Sequence, residues 1–409
     1  MIQPAKSAPL RVHCLLRDQF GHVRPVEEHF GEAAAFVYDE AWDAAALVAA
    51  RPDLVLCVND FAFDVAVCLD AARQARIPSL VLQDGILEWR CQYENPLFGA
   101  GGGPAQHQPV LADKIACLGP ASARFLASWG NGGSVEVTGM PKLDAIGGRT
   151  FTPPRRPGRR LLVMTAKKPW YDDGQRAVIE RSLADLKAHL ATRPDLDVVW
   201  RLTRGVAETL GVVNRLKELE TAELASVLEE VDAVVTTPST TILEGMLAGR
   251  PVAVLDYHNV PRFVASAWTI SAADHIPRVI PELIEPPAAR LLYQRECLRD
   301  SLWHEGSAAG RVAALIDAMA RRGRQCREGD AGLRLPPNIL GQVDLPVDSG
   351  SLPPLSDLYP GQAAFQLRDV QALQARLQRL ERDYRRLRET TLSKRVGRRL
   401  RGLFGSTPQ

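Results

Sequence analysis

The chain has 409 residues, 46% hydrophobic and 24% charged, with 50 basic residues against 48 acidic and a net charge of +2. That balance excludes a general nucleic-acid binder, which would carry a plain basic excess. The length exceeds what one core fills, so two globular domains and a further segment are expected.

Seven cysteines (14, 57, 68, 91, 117, 297, 326) are scattered, with no C-x-x-C pair, so neither a zinc site nor a redox motif is indicated. Cys14, Cys57 and Cys117 lie in apolar runs, as buried thiols of a reducing compartment do. The opening MIQPAKSAPLRVHCLLRD lacks the apolar core of a signal peptide. No run approaches the roughly 18–20 apolar residues of a spanning helix. A cytoplasmic protein is expected, peripheral on the inner membrane at most.

In chain order, RVHCLL (11–16), DLVLCV (53–58), IPSLVLQ (77–83), KIACLG (114–119) and SVEVTG (134–139) read as strands separated by helical patterns. Continuous apolar strands between helices indicate a parallel sheet covered on both faces. TPPRRPGRR (152–160) reads as a linker. The pattern then restarts: LLVMTA (161–166) as a strand, 176–191 as a long helix, DVVWRL (197–202) as a strand, 223–231 as a helix, AVVTT and VAVLD as strands, and a helical block over 287–322. The expected class is α/β, with two Rossmann-like doubly wound domains over 1–150 and 151–325. Such domains place ligands at strand C-termini and in the cleft between them.

Residues 326–362 hold six prolines and read as an extended connector. Beyond it, Leu367, Val370, Leu373, Leu377, Leu380, Tyr384 and Leu387 form an a/d seam. A helical coiled-coil extension over 363–409 is expected, with self-association through 365–390 as one outcome and packing back on the body as the other. The end KRVGRRLRGLFG (394–405) carries five basic residues with Val396, Leu400, Leu403 and Phe404 near helical spacing. It suits either an anionic membrane surface or a solvated tail.

The stretch TTPSTTILEGMLAGRP (236–251) leaves a strand, turns through hydroxyls and closes on Gly249-Arg250-Pro251. Two readings are open. In one, Thr241 and Glu244 have the S/T-x-x-E spacing of a capping box. Alternatively the turn amides and hydroxyls hold a phosphate, and Glu244 holds a sugar hydroxyl of the same ligand. Spacing alone favours the box.

VDAVVTTPSTTILEGMLAGRPVAVLD resembles the donor-binding segment of GT-B glycosyltransferases, especially bacterial surface-polysaccharide and CDP-glycerol-transferase-like members. IPSLVLQDGILE (77–88), ADKIACLGPASARFLASWG with VEVTGMPKLDAI (112–146), and WHEGSAAGRVAALI (303–316) resemble further segments of that group in the same order. The resemblance implies a nucleotide-activated donor in the second domain. Ser239, Thr240 and Thr241 would cradle its phosphates and Glu244 would accept from ribose or sugar hydroxyls. Arg201, ending VVWRL, would contact phosphate. Related sequences often read R-P-H-P there. This chain reads RLTRG, which puts CDP-glycerol-like chemistry in doubt and leaves Arg201 or Arg204 as the phosphate contact.

Transfer with inversion needs a base from the first domain. Candidates after its strands are His22, Asp60, Asp84 and Glu88, with Asp84 favoured because it follows a buried strand and precedes a glycine. His304 and Glu305 could close over the donor, and Lys167 and Lys168 add charge at a strand end. The long loop 91–109 reads as a flap over the acceptor. No D-x-D flanked by strands, G-x-G-x-x-G or P-loop pattern occurs, so no metal or cofactor is expected and the nucleotide sugar is a substrate. The expected activity is a metal-independent glycosyltransferase of bacterial surface polysaccharide synthesis, acting on a glycan or lipid-linked acceptor. A UDP-N-acetylhexosamine epimerase of the same fold and a non-catalytic scaffold associating through the coil are the alternatives.

Overall fold

The computed structural model describes residues 9–16, 19–38, 42–96, 106–152, 158–203, 205–215, 224–329, 331–341 and 382. The coil seam, the basic end and Arg204 lie outside these residues. Among the described residues, no helix is long and apolar enough to cross a membrane.

Aliphatic runs build two parallel sheets. The first contains β1 (Leu10–Leu15), β2 (Ala34–Tyr38), β3 (Leu54–Cys57), β4 (Ser79–Leu82), β5 (Lys114–Cys117) and β6 (Val135–Val137), in the order β2-β1-β3-β4-β5-β6. Its helices are α1 (Phe20–Phe30), α2 (Ala44–Ala50), α3 (Phe63–Gln74), α4 (Trp89–Tyr93), α5 (Pro120–Leu126) and α6 (Asp144–Gly147). Every residue of β3, β4 and β5 is buried, as central strands covered on both faces require. The edge strand β2 buries only Ala34. Its AAFVY therefore shows little strand signal, and the sequence reading passes over it.

The second sheet contains β7 (Arg159–Met164), β8 (Leu196–Arg201), β9 (Ala233–Thr236), β10 (Val252–Leu255) and β11 (Trp268–Ile270), in the order β11-β10-β9-β7-β8. Its helices are α7 (Asp173–Leu190), α8 (Val206–Leu210), α9 (Leu224–Glu229), α10 (Thr241–Leu247), α11 (Ile276–Ile284) and α12 (Ala288–Ser301). Strand order reverses between β1 and β3 in one sheet and between β7 and β9 in the other. Those reversals open the crevices where open α/β sheets take ligands.

The helical block expected over 287–322 comprises two helices, α12 and α13 (Ala308–Glu328). Between them the chain crosses to the first lobe, where Trp303 N donates to Leu118 O at 2.8 Å. The crossing is tight: a β-carbon on Gly139, whose φ is +81°, would lie 2.5 Å from Trp303 O. Asp144 receives α13, accepting from Ala308 N, Ala309 N and Ser307 Oγ, each at 2.9 Å. Arg311 donates to Val137 O at 2.9 Å and stacks over Trp303. Two segments that carry the sequence resemblance, 134–146 and 303–316, therefore meet here.

The buried face of α13 then packs against the first sheet. Val312, Leu315, Ile316 and Met319 join Val12, Cys14, Leu54 and Leu56 in one cluster. Arg324 forks onto Asp53 at 2.6 and 2.7 Å. Residues 331–341, read from sequence as connector, lie along the same lobe. Buried Lys114 donates to Pro336 O at 2.7 Å and pairs with Glu136 at 2.9 Å, while Glu136 accepts from Ile339 N and Leu340 N.

Candidate active site

β9 delivers the hydroxyl turn to the rim of the second sheet. Thr237 Oγ1 accepts from Ala166 N at 2.8 Å, pinning the turn to the end of β7. Ser239 Oγ lies 3.2 Å from Thr236 Oγ1. The amides of Ile242, Leu243 and Glu244 are engaged by Ser239 O and Thr240 O. Among the described residues, no hydrogen bond engages the amides of Ser239, Thr240 and Thr241.

The capping box does not form. Thr240 is the N-cap and makes no side-chain cap bond, so Glu244 is the fourth helical residue rather than the third. The Thr241 hydroxyl instead favours the ionised form of the Glu244 carboxylate. Burial pushes the Glu244 carboxyl above its ordinary value, while Lys142, the Thr241 hydroxyl and Arg201 oppose that rise. Arg201 is half-buried at the end of β8.

Across the cleft, Asp84 follows β4. Burial raises its carboxyl, and His107 and Lys142 pull it back. The next residue faces the hydroxyl turn: a β-carbon on Gly85 would lie 3.1 Å from Thr240 Oγ1. His22 lies in the first turn of α1, its pKa lowered to about 4 by burial and by Lys142, so it is neutral at pH 7. The structure thus brings Asp84 and His22 of the first lobe to the cleft side that holds Glu244 and Arg201.

Lys142 links the set, acting on His22, Asp84 and Glu244 together. Sequence reading missed it. Its signal was position: it lies in a 3-10 turn, Pro141–Leu143, just beyond β6, where the other site residues also stand beyond their strands. Among the described residues, no hydrogen bond or ion pair engages its ammonium.

Other candidates have different roles. Asp60 is fully buried, accepts from Leu111 N at 2.7 Å and lies 3.2 Å from His107 Nδ1. Glu88 caps α4, accepting from Cys91 N, and pairs with Arg90 at 2.7 Å. His304 and Glu305 are exposed at the crossover, and Lys167 and Lys168 are exposed beyond β7. Residues 97–105 of the expected flap lie outside the described residues.

No protein-family model and no curated protein matches the sequence. Solved structures do. The UDP co-structure of S. aureus MnaA is similar over 76% of this chain and 97% of its own, with TM-score 0.53 and 14% identity. A wall teichoic acid polymerase TagF variant with CDPG is similar over 77% of this chain and 89% of its own, with TM-score 0.50 and 9% identity. Two parallel-sheet lobes, each with a ligand crevice at its strand-order reversal and both matched across nearly the whole of these structures, identify the architecture of the chain as the GT-B fold.

Proposed function

We propose that the chain is a glycosyltransferase that moves a sugar from a nucleotide-activated donor to a hydroxyl of a glycan or lipid-linked acceptor in bacterial surface polysaccharide synthesis. The observation that carries this reading is the convergence on one cleft of Arg201 and Glu244 from the second lobe with Lys142, Asp84 and His22 from the first. That MnaA was solved with UDP and TagF with CDPG supports a nucleotide-bearing donor.

In this reading the second lobe, 151–325, holds the donor and the first, 1–150, the acceptor. Arg201, Lys142 and the hydroxyls and amides of Ser239, Thr240 and Thr241 hold the donor phosphates. Glu244 accepts from the ribose or sugar hydroxyls. The acceptor oxygen bonds to the anomeric carbon while the carbon–oxygen bond to phosphate breaks, its electron pair leaving on the nucleotide. The cations offset the charge that develops there. Asp84 takes the acceptor proton. Burial brings its basicity toward the useful range, whereas a His22 lowered to about 4 is the weaker base at neutral pH. His22 then serves as a neutral hydrogen-bonding partner of the acceptor. The seam at 367–387 and the basic end at 394–405 are proposed to join copies of the chain and bring them to an anionic membrane surface, where lipid-linked acceptors lie.

The test is thermal shift with UDP, CDP, GDP, dTDP and CMP, followed by product analysis with the donor of the stabilising nucleotide. A nucleotide present at a hundredfold its Kd adds about 2.7 kcal/mol of stability. No shift with any of the five overturns the donor site. Epimerised nucleotide sugar released without acceptor assigns the epimerase reaction instead. If glycan synthesis survives Asp84→Asn, Glu244→Ala and Arg201→Ala but not deletion of 365–409, the chain is a scaffold.

A further inference from the structure

We propose that the transferred sugar is a 6-deoxyhexose, its methyl group seated in a small apolar cavity between the lobes and its neighbouring hydroxyl donating to Asp256. This rests on the reading of the hydroxyl turn at 239–241 as the seat of the donor phosphates.

The cavity has a volume of about 20 Å³. A water needs about 10–15 Å³, so the space takes one small group and no sugar ring. Ile86, Leu87 and Trp89 of the first lobe and Ile242, Val254 and Val264 of the second give it aliphatic and aromatic walls. Pro238 lines it too, and the hydroxyl turn begins at the next residue. A group held there lies beside phosphates bound to that turn, where the transferred sugar is attached.

Three charged residues complete the lining, and two of them are engaged. Glu88 accepts from Arg90 Nε and Cys91 N, and Arg262 donates to Thr269 Oγ1 at 2.6 Å. The third, Asp256, stands one residue beyond β10 and is 0% exposed. Its Oδ2 lies 3.4 Å from Arg262 Nε. Its Oδ1 is buried and, among the described residues, has no hydrogen-bond partner. A buried acceptor left unmade costs its desolvation, which a hydroxyl of the ligand recovers.

The cavity therefore asks for one hydrogen-bond donor beside one small apolar group. A 6-deoxyhexose has that pair on adjacent carbons, the C4 hydroxyl and the methyl on C5. A plain hexose carries a hydroxyl on C6, which the apolar walls do not satisfy. An acetamido group brings a carbonyl oxygen that needs a donor, and Arg262 is already held by Asp256 and Thr269.

The walls are held from both lobes. Glu88 and Arg262 form an antiparallel bridge between their backbones. Phe263 packs among aromatic rings of the first lobe, its centre 4.5 Å from that of Phe125 and 5.7 Å from that of Trp129. A cavity fixed in this way discriminates by size and polarity.

Calorimetry on the full chain tests the proposal. Glucose, galactose and mannose, in D and L forms, are compared with their 6-deoxy forms as esters of the nucleoside diphosphate that stabilises the chain. The N-acetylglucosamine ester is a further arm. In at least one pair the 6-deoxy sugar is expected to bind about 10–100-fold tighter, the discrimination an apolar pocket has against an added hydroxyl. Asp256→Asn is expected to weaken that donor about 10-fold and leave the free nucleotide unchanged. Val264→Ile, which adds a methyl group to the wall, is expected to erase the preference with Asp256 in place. Equal affinities within every pair overturn the proposal and leave the donor site standing, with Asp256 solvated by a trapped water. Tightest binding of the N-acetylglucosamine ester also overturns it. If none of the nucleotides binds, the donor reading falls, and this one with it.

Discussion

Gly85 of the first lobe and Thr240 of the second face each other so closely that a single added carbon at Gly85 would come 3.1 Å from the Thr240 hydroxyl. The proposed base and the proposed phosphate turn are thereby set against each other across the cleft. Gly85→Ala requires Thr240 to yield by a few tenths of an ångström, and Gly85→Val requires more. We expect activity to fall in the order glycine, alanine, valine, with valine at least 10-fold down and little change in melting temperature. Steady-state rates beside melting curves check it. Full activity in the valine variant would show that this approach does not matter to turnover.

Donor contacts make a second expectation. A hydrogen bond to a charged group contributes about 1.5–3 kcal/mol, or about 10–100-fold in affinity. Arg201→Ala, Lys142→Ala and Glu244→Ala should each weaken nucleotide-sugar binding by that order, measured by titration calorimetry. Lys142→Ala tests the residue that sequence reading missed. If it binds donor as wild type does, Lys142 acts on the acceptor side alone.

Stability against pH separates the buried acids from the buried base. Glu244 has a folded pKa above its unfolded 4.5, so ionising it costs folding free energy, and its contribution falls as pH rises through the folded value. Glu244→Gln should therefore raise the apo melting temperature at pH 7 while weakening donor binding, an exchange of stability for function. His22 has the opposite sign. Its folded pKa is about 4 against 6.5 unfolded, so its contribution is present above 6.5 and lost as pH falls toward 4. His22→Asn should flatten the urea midpoint over pH 4–6.5. An unchanged slope would mean that the ring is solvated.

The buried ion pair beneath residues 336–340 gives a fourth expectation. Lys114 and Glu136 are both buried and paired at 2.9 Å. Removing one partner of such a pair typically costs about 3–5 kcal/mol, because the other charge is left uncompensated. Lys114→Met should be destabilised on that order, and Lys114→Met with Glu136→Met should recover much of it. Denaturant midpoints check both, and an unaffected single variant would place the pair in solvent.

The legible parts of this chain were those whose cause is local. LVLC, SLVL and KIAC read as strands because each lies in a short, mostly apolar run, and RAVIERSLADLKAHLA read as a helix from its spacing. β2 and β11 were not legible, since an edge strand and a three-residue strand carry too little pattern. α11 hid behind Pro277 and Pro281, the latter inside it. In the site, Glu244 and Arg201 could be named from position after a strand. The box at Thr241 failed by one residue of register, which spacing cannot fix. Lys142 and Asp256 acquire meaning only from residues that the fold brings beside them.

The crossover at 302–307 also sets the order in which the molecule can be completed. The chain's opening third leaves the ribosome early, yet one face of its sheet is covered only in part, by Val23 and Val26 of α1, until Val312, Leu315, Ile316 and Met319 have been made. The second lobe can finish first, although it is translated later. A fragment ending near residue 150 would carry an open apolar trough, so the first lobe should be soluble only when expressed together with, or fused to, the α13 segment.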